Sequence, residues 1–585
     1  MQMARRPRNV GALRAAAMLY GDWGTSKAYV LGLAFLLAGH ASFYLILGMV
    51  ALTAIVGINF IWICKYYPDG GGVYSAAKHR NRTLAVVGAL LLVADYVVTA
   101  SLSSISAFFY LRDAFPDLGV EHPAIWAIAS LTVIGLLNVV GPKHSGSLAI
   151  FLAAPVFLVV LTLVISVIPH LGAATIHTPT TSPSDTWLIF VGIILALSGV
   201  EAIANMTGVM PLDPGSTEEN PSVHKTARRA IIPVLLEVTI IVVILGAGMH
   251  AIPNLSGHTE SMLRYMGEYF IGDWFAKIVS VVFALLLLSA ANTAIVGLIA
   301  TFYSMAHDRE MPAVFGKLNS YGVPWFALGF ATVAPILILA MEHDLQRLAA
   351  LYAIGVVGAI VIHLGSCATD RSLKLRRYER LIMSATFVIL TVVELTIAYE
   401  KHNAVIFALS VLAVGLVTRA VAQRQSARLA AKPTLAEEPP RVDIQSLLRQ
   451  MAQPAEAILV SVRGVTDTLR FAIEEARLRG ATLYLLFVRE IAIQGAAESS
   501  SADDPTFQAI VNAARQLGAG VEIIPLYCVS DDAPATILDQ AATLGVDYLI
   551  LGSSSRSRLV HLLRGSVIQA VARHLPEEIR LIIHG

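Results

Sequence analysis

Hydrophobic and polar positions divide the chain in two. Up to about Arg419, long apolar runs recur, separated by polar turns such as Tyr67-Pro68-Asp69-Gly70-Gly71-Gly72. A spanning helix needs roughly 20 mostly apolar residues. Twelve candidate spans start near residues 12, 40, 82, 122, 146, 186, 229, 275, 323, 346, 380 and 402. Beyond residue 453 the runs shorten. Strand-like segments at Ala457–Val462, Thr482–Val488, Glu522–Val529, Tyr548–Gly552 and Arg580–His584 alternate with amphipathic stretches near 466–479, 505–517, 533–544 and 566–574. That alternation predicts an α/β doubly wound parallel sheet, with a ligand cleft at the carboxyl ends of the first and fourth strands. The expected organisation is a transmembrane domain over 1–421, a linker over 422–453 containing Glu437-Glu438-Pro439-Pro440, and an α/β domain over 454–585.

Composition agrees. The chain has 585 residues, 56% hydrophobic and 14% charged, with a formal net charge of +1. This is the balance of a polytopic membrane protein and implies no nucleic-acid partner. Cys64, Cys367 and Cys528 are far apart and form no metal or disulfide pattern. The basic N-terminus (Arg5, Arg6, Arg8, Arg14) runs into the first span rather than into a cleavable leader. Basic residues also follow the even-numbered spans: Lys65, Lys78, Arg80 and Arg82 after span 2, Lys225, Arg228 and Arg229 after span 6, and Arg371 to Arg380 after span 10. The loop from His170 to Thr186 has none. Both termini and the α/β domain are therefore expected in the cytoplasm of a cell-membrane protein.

Two spans are interrupted. In span 1, Gly21-Asp22-Trp23-Gly24-Thr25-Ser26-Lys27-Ala28-Tyr29 sets a carboxylate between glycines. In span 6, Ser198-Gly199-Val200-Glu201-Ala202 places a carboxylate mid-span among small residues, with Asn205, Thr207 and Gly208 behind it. A single glycine-broken helix is often only a kink. Two such breaks, five spans apart and each with an acid, are the pattern of an inverted five-helix repeat whose half-helix ends line a binding site. A fixed charge at Asp22, backbone carbonyls and the Tyr29 phenol suit a dehydrated cation.

Other polar positions extend the picture. Asp95, Thr99 and Ser103 recur on one face of span 3. Hydrogen-bonded packing accounts for Thr99 and Ser103 but not for an ionisable Asp95, which is assigned to the transport path. Glu201, between apolar neighbours, suits a proton-coupling site, or alternatively caps the second half-helix. Glu237 and Glu394 are structural or supporting groups, and His363 is read as a satisfied interior histidine. Tyr352 either closes the cavity or packs. Lys27 either snorkels or pairs with Asp22 when no ion is bound.

The quoted residues resemble one family. Leu19 to Tyr29 is similar to the signature of KUP-type potassium transporters, with Lys27-Ala28 in place of the usual Pro-Leu. Ser198 to Ala202 resembles that family's second signature. The whole chain is most similar to the KimA-type bacterial branch. The resemblance implies an APC-superfamily (LeuT-like) fold with a 5+5 inverted repeat and 12 transmembrane helices. It also implies potassium uptake coupled to protons, with no enzymatic activity and no resident cofactor, in a homodimer joined through the cytosolic domains. By motif match, Asp22, Tyr29, Asp95, Thr99, Ser198 and Tyr352 would hold potassium and Glu201 would carry the coupling proton. Two other functions stay open: a proton-coupled amino-acid or polyamine permease, and a non-transporting membrane-tethered nucleotide sensor.

In the α/β domain, Gly552-Ser553-Ser554-Ser555 followed by Gly565-Ser566 resembles the nucleotide motif of universal stress proteins, with Ser555 in place of a glycine. Glycines before a helix N-terminus suit a phosphate. Arg463 stands where that family's adenine-side Asp often sits, which speaks against ATP. The resemblance points instead to a signalling dinucleotide such as cyclic di-AMP, with Arg463, Arg556, Arg558 or Arg564 meeting its phosphates. The alternative is a domain that only dimerises.

Overall fold

A computed structural model describes residues 8, 10–141, 145–197, 199–217, 220–319, 321–430, 456–491, 504–530, 532–553 and 566–585. Helices stand at every position the apolar runs mark. Span 1 is two helices, α1 (Ala12–Trp23) and α2 (Lys27–Ala38), followed by α3 (Ser42–Tyr66), the short α4 (Val73–Lys78) and α5 (Arg82–Ala114). Next come α6 (Pro123–Val140) and α7 (Ser145–Val167). Span 6 is again broken, into α8 (Pro183–Gly192), a 3-10 turn at Ile194–Leu197, and α9 (Ala202–Met206). Then follow α10 (His224–Met249), α11 (Met262–Phe270), α12 (Asp273–His307), α13 (Trp325–Met341), α14 (Leu345–Thr369), α15 (Arg377–Glu400) and α16 (His402–Ala430).

Among the described residues, eight stretches are long and apolar enough to cross a membrane, one of them the continuous Ala12–Tyr66. Local signals set several starts. Asn81 accepts from the Thr83 and Leu84 amides ahead of α5, Asp344 accepts from Arg347 ahead of α14, and prolines open α6 and α8. The hairpin-like ends at α15 and α16 differ from the core. Leu381, Val388, Leu395, Ile406, Leu409 and Val414 project outward, as lipid-facing positions do. In contrast α5 is buried over nearly its whole length and packs against α12 and α14. It is the central post that places Asp95. One boundary moves: α16 continues to Ala430, through the first nine residues expected to be linker, because Val421 to Ala430 contains no helix breaker. The remaining linker, residues 431–453, lies outside the described residues.

The C-terminal domain is a five-stranded parallel sheet in the order β3-β2-β1-β4-β5. The strands are β1 (Ala457–Ser461), β2 (Thr482–Glu490), β3 (Ile523–Ser530), β4 (Tyr548–Gly552) and β5 (Arg580–His584). Helices at Asp467–Arg479, Pro505–Leu517, Ala533–Leu544 and Val567–His574 connect them. Separate apolar clusters cover the two faces of the sheet, around Ile458 and Leu485 on one and Leu459 and Leu549 on the other. Strand order reverses between β1 and β4, where a doubly wound sheet opens its cleft.

Candidate functional site

The two broken helices meet at their breaks. Gly199 has φ +100°, and a Cβ there would lie 2.6 Å from the Trp23 amide nitrogen and 2.8 Å from its Cα. Only glycine allows that backbone contact. The first break falls slightly later than the sequence indicates. Gly21 and Asp22 are still helical, and the chain turns at Gly24-Thr25-Ser26. Nor are the exposed carbonyls free. Thr25 donates to the Asp22 carbonyl through its amide (3.1 Å) and hydroxyl (2.5 Å), and the Ser26 hydroxyl donates to Trp23 at 2.8 Å. The two hydroxyls fill the ladder that the break opens.

Around this crossing lie most of the expected residues. Asp22, Tyr29, Asp95, Thr99, Glu201 and Tyr352 are all buried. Asp22, Asp95 and Glu201 are near enough to act on one another electrostatically. The Tyr29 hydroxyl is within hydrogen-bonding reach of Tyr352 and Thr25. Gly355 brings α14 against α5, since a Cβ there would lie 2.7 Å from the Asp95 nitrogen. That approach places Tyr352, one turn earlier, beside the acids. Thr99 donates to Asp95 Oδ1 at 3.0 Å, while Oδ2 is buried without a hydrogen-bond partner among the described residues. The Asp22 carboxylate likewise makes no hydrogen bond or ion pair with a described residue. Ser198 lies outside the described residues.

Glu201 turns back and accepts from the Gly199 amide with both oxygens, at 3.2 and 3.0 Å. It therefore satisfies the backbone at the second break. It also lines a small cavity with Asn205, Leu92 and His363, offering about 10 Å³ to a water's centre, roughly what one water needs. His363 departs from its expected satisfied state: Nε2 is buried and unpartnered among the described residues. Glu394 is similar, with Oε2 buried and unpartnered beside Gly358.

Lys27 is placed differently from either expectation. It neither snorkels nor meets Asp22. Its Nζ sits 2.7 and 3.0 Å from the Glu237 oxygens, and 3.1 Å from the Tyr20 hydroxyl, which itself donates to Glu237 at 2.9 Å. The Lys27 side chain is fully buried and Glu237 is 7% exposed. Glu237 thus neutralises Lys27 and leaves Asp22 uncompensated. Tyr96, which reaches Asn205, is a neighbour of the acids that sequence reasoning missed. Among the described residues no three His, Cys, Asp or Glu side chains form a metal cage.

A family model described as amino acid permease matches residues 10–418. The chain belongs to this permease family. A second model, of the universal stress protein family, matches residues 457–579. This permease is 28% identical over 372 residues to the potassium transporter KimA of Bacillus subtilis, covering 59% of this chain and 58% of that one. It is 30% identical over 164 residues to the probable potassium transport system protein Kup 1 of a Bradyrhizobium species, covering 25% of this chain and 26% of that one. The chain thus spans well under two thirds of each relative's length.

In the permease's C-terminal domain, Gly552 ends β4 and Ser566 caps the helix at Val567, accepting from the Gln569 amide at 3.3 Å. Ser555 and Gly565, with Arg556, Arg558 and Arg564, lie outside the described residues. Arg463 is not poised for a phosphate alone: it pairs with Glu490 at 2.6 Å.

Proposed function

We propose that this protein carries potassium into the cell, driven by protons, by alternating access. The observation that carries the reading is the crossing of the two broken helices, where Asp22 and Asp95 are buried near Tyr29 and Thr99, and Asp95 Oδ2 has no hydrogen-bond partner among the described residues. Buried like charges repel unless something neutralises them. A monovalent cation between Asp22 and Asp95 does so, and a proton on Glu201 removes the third charge. Ser198 completes the same potassium site. The resemblance to two potassium transporters supports that cargo. An amino-acid substrate fits less well, because Asp22, in the last turn of α1 just ahead of the unwound Gly24-Thr25-Ser26 segment, would repel a substrate carboxylate received there.

In this reading the membrane domain crosses twelve times as a 5+5 inverted repeat, with both termini cytoplasmic, and ends beyond residue 421. The α/β domain over 454–585 joins two copies and takes a cyclic dinucleotide such as cyclic di-AMP in the cleft of Gly552, Ser555, Gly565 and Ser566. Reconstitution tests the reading. Liposomes containing the protein should accumulate rubidium or potassium faster under an inward proton gradient. Glu201→Gln should bind potassium but lose the gradient's effect. Amino-acid uptake without rubidium uptake would overturn the proposal.

A further inference from the structure

Away from the carboxylates, a second cavity lies where α14 ends and the chain turns into α15. It offers about 770 Å³ and is lined by His79, Arg80, Thr369, Asp370, Arg371 and Arg380, among others. That is the size range of a small-molecule site. Its charge is unusual. Arg80 is exposed and donates to the Thr369 hydroxyl at 2.5 Å. Arg380 is half-buried and spends Nη2 on the carbonyls of Asp370 and Leu373, both at 3.2 Å. Arg371 makes no hydrogen bond or ion pair with a described residue. None of the three guanidinia is in ion-pair contact within the described residues; Asp370, the one carboxylate in the lining, accepts from the amide and hydroxyl of Ser372 at 2.8 and 2.7 Å and feels the charges of Arg80 and His79 only at longer range.

Arginines near helix ends are ordinary in membrane proteins, where they fix orientation. Solvated arginines serve that purpose without converging. Here Arg80 comes from one segment and Arg371 and Arg380 from another far along the chain, and all three line one concavity. Unpaired guanidinium forks in a concave site match phosphate oxygens. We propose that this cavity binds a phosphate group carried by an anionic ligand, and that occupancy ties the start of α5 to the end of α14. Those two helices carry Asp95 and Tyr352, so the ligand braces the cation site from its far end. The cavity lies at helix ends, and the same chemistry admits the phosphate of a lipid headgroup or a soluble phosphate.

The test uses the full-length protein, delipidated in neutral detergent and titrated with phosphatidylglycerol, phosphatidylcholine or inorganic pyrophosphate. Native mass spectrometry reads bound ligand, with the unfolding temperature beside it. Phosphatidylglycerol should bind roughly tenfold more tightly than phosphatidylcholine, as charge-assisted hydrogen bonds imply. Arg371→Gln, which disturbs no internal contact, should remove most of that preference. Arg380→Lys should weaken it as well, because the charge stays but the fork is lost. Pyrophosphate binding that Arg371→Gln weakens, without lipid preference, would support the site and assign it a soluble phosphate. No preference for either anion, or one unchanged in both variants, would overturn the proposal.

Discussion

At the residue scale, Asp22 and Lys27 show how charge is distributed inside the apolar domain. They are five positions apart, yet among the described residues Asp22 has no ion-pair partner while Lys27 is paired with Glu237. Asp22→Asn should keep the fold while cutting potassium affinity. At an effective dielectric of about 20, one charge at contact distance is worth about 4 kcal/mol, or roughly a thousandfold in binding. Isothermal titration of the purified variant checks this, and unchanged affinity would remove Asp22 from the site. The Lys27–Glu237 pair makes the opposite prediction. Breaking a buried pair strands a charge, at a cost of about 3–5 kcal/mol, whereas replacing both partners with apolar residues is often near neutral. Lys27→Met should therefore lower the unfolding temperature sharply, and Lys27→Met with Glu237→Leu should recover most of it. Equal losses in the single and double variants would show that the pair carries more than its own charge balance. The sequence marks Asp22 and Glu201 because each is an acid beside a glycine break. It does not reveal Lys27's partner, which stands 210 positions away and is brought close by α10 packing on α1 and the start of α2.

At the element scale, the helices were legible because apolar runs of spanning length and capping residues are local signals. The strands of the α/β domain were legible for the same reason, and their ends shift by only a residue or two. What was not legible depends on backbone approach. That Gly199 rests on Trp23, and Gly355 on Asp95, follows from packing between elements and not from any spacing along the chain. The turn between α2 and α3 offers another such meeting. His250, at the end of α10, lies against His40, with ring centroids 5.5 Å apart, and its Nε2 is 3.2 Å from the Ser42 hydroxyl. Burial, and then the neighbouring charges of His40 and His177, push His250 from its usual 6.5 down to about 4. Between those two values the folded chain binds fewer protons here than the unfolded chain. Stability should therefore rise with pH through that window, be fully present above about 6.5, and be lost as pH falls toward 4. Unfolding temperatures measured across this range should fall on acidification, and more steeply than in His250→Gln. Parallel curves for the two proteins would show that His250 is not the titrating group.

At the scale of the whole molecule, the α/β domain touches the membrane domain at a defined place. The loop between α12 and α13 carries Gly322 at φ +77°, and a Cβ there would lie 2.1 Å from the Glu490 carbonyl oxygen at the end of β2. Ile491 is buried in the apolar cluster of the membrane domain. Glu490 also holds Arg463, at the carboxyl end of β1 beside the reversal in strand order. A ligand drawing Arg463 into the cleft competes with Glu490, and so acts at a residue that itself contacts the membrane domain. Such a ligand alters transport only if it binds one transport state better than another. Two variants separate transport from this control. A chain ended after Ala430 keeps α16 and every residue of the proposed cation site, and should still take up rubidium in liposomes. Gly322→Ala places a side chain where neither the backbone conformation nor the Glu490 carbonyl admits one, far from the acids. It should transport as the parent does. If cyclic di-AMP changes the parent's uptake rate, that change should vanish in the shortened chain and shrink in Gly322→Ala. A full response in the shortened chain would place the control within the membrane domain.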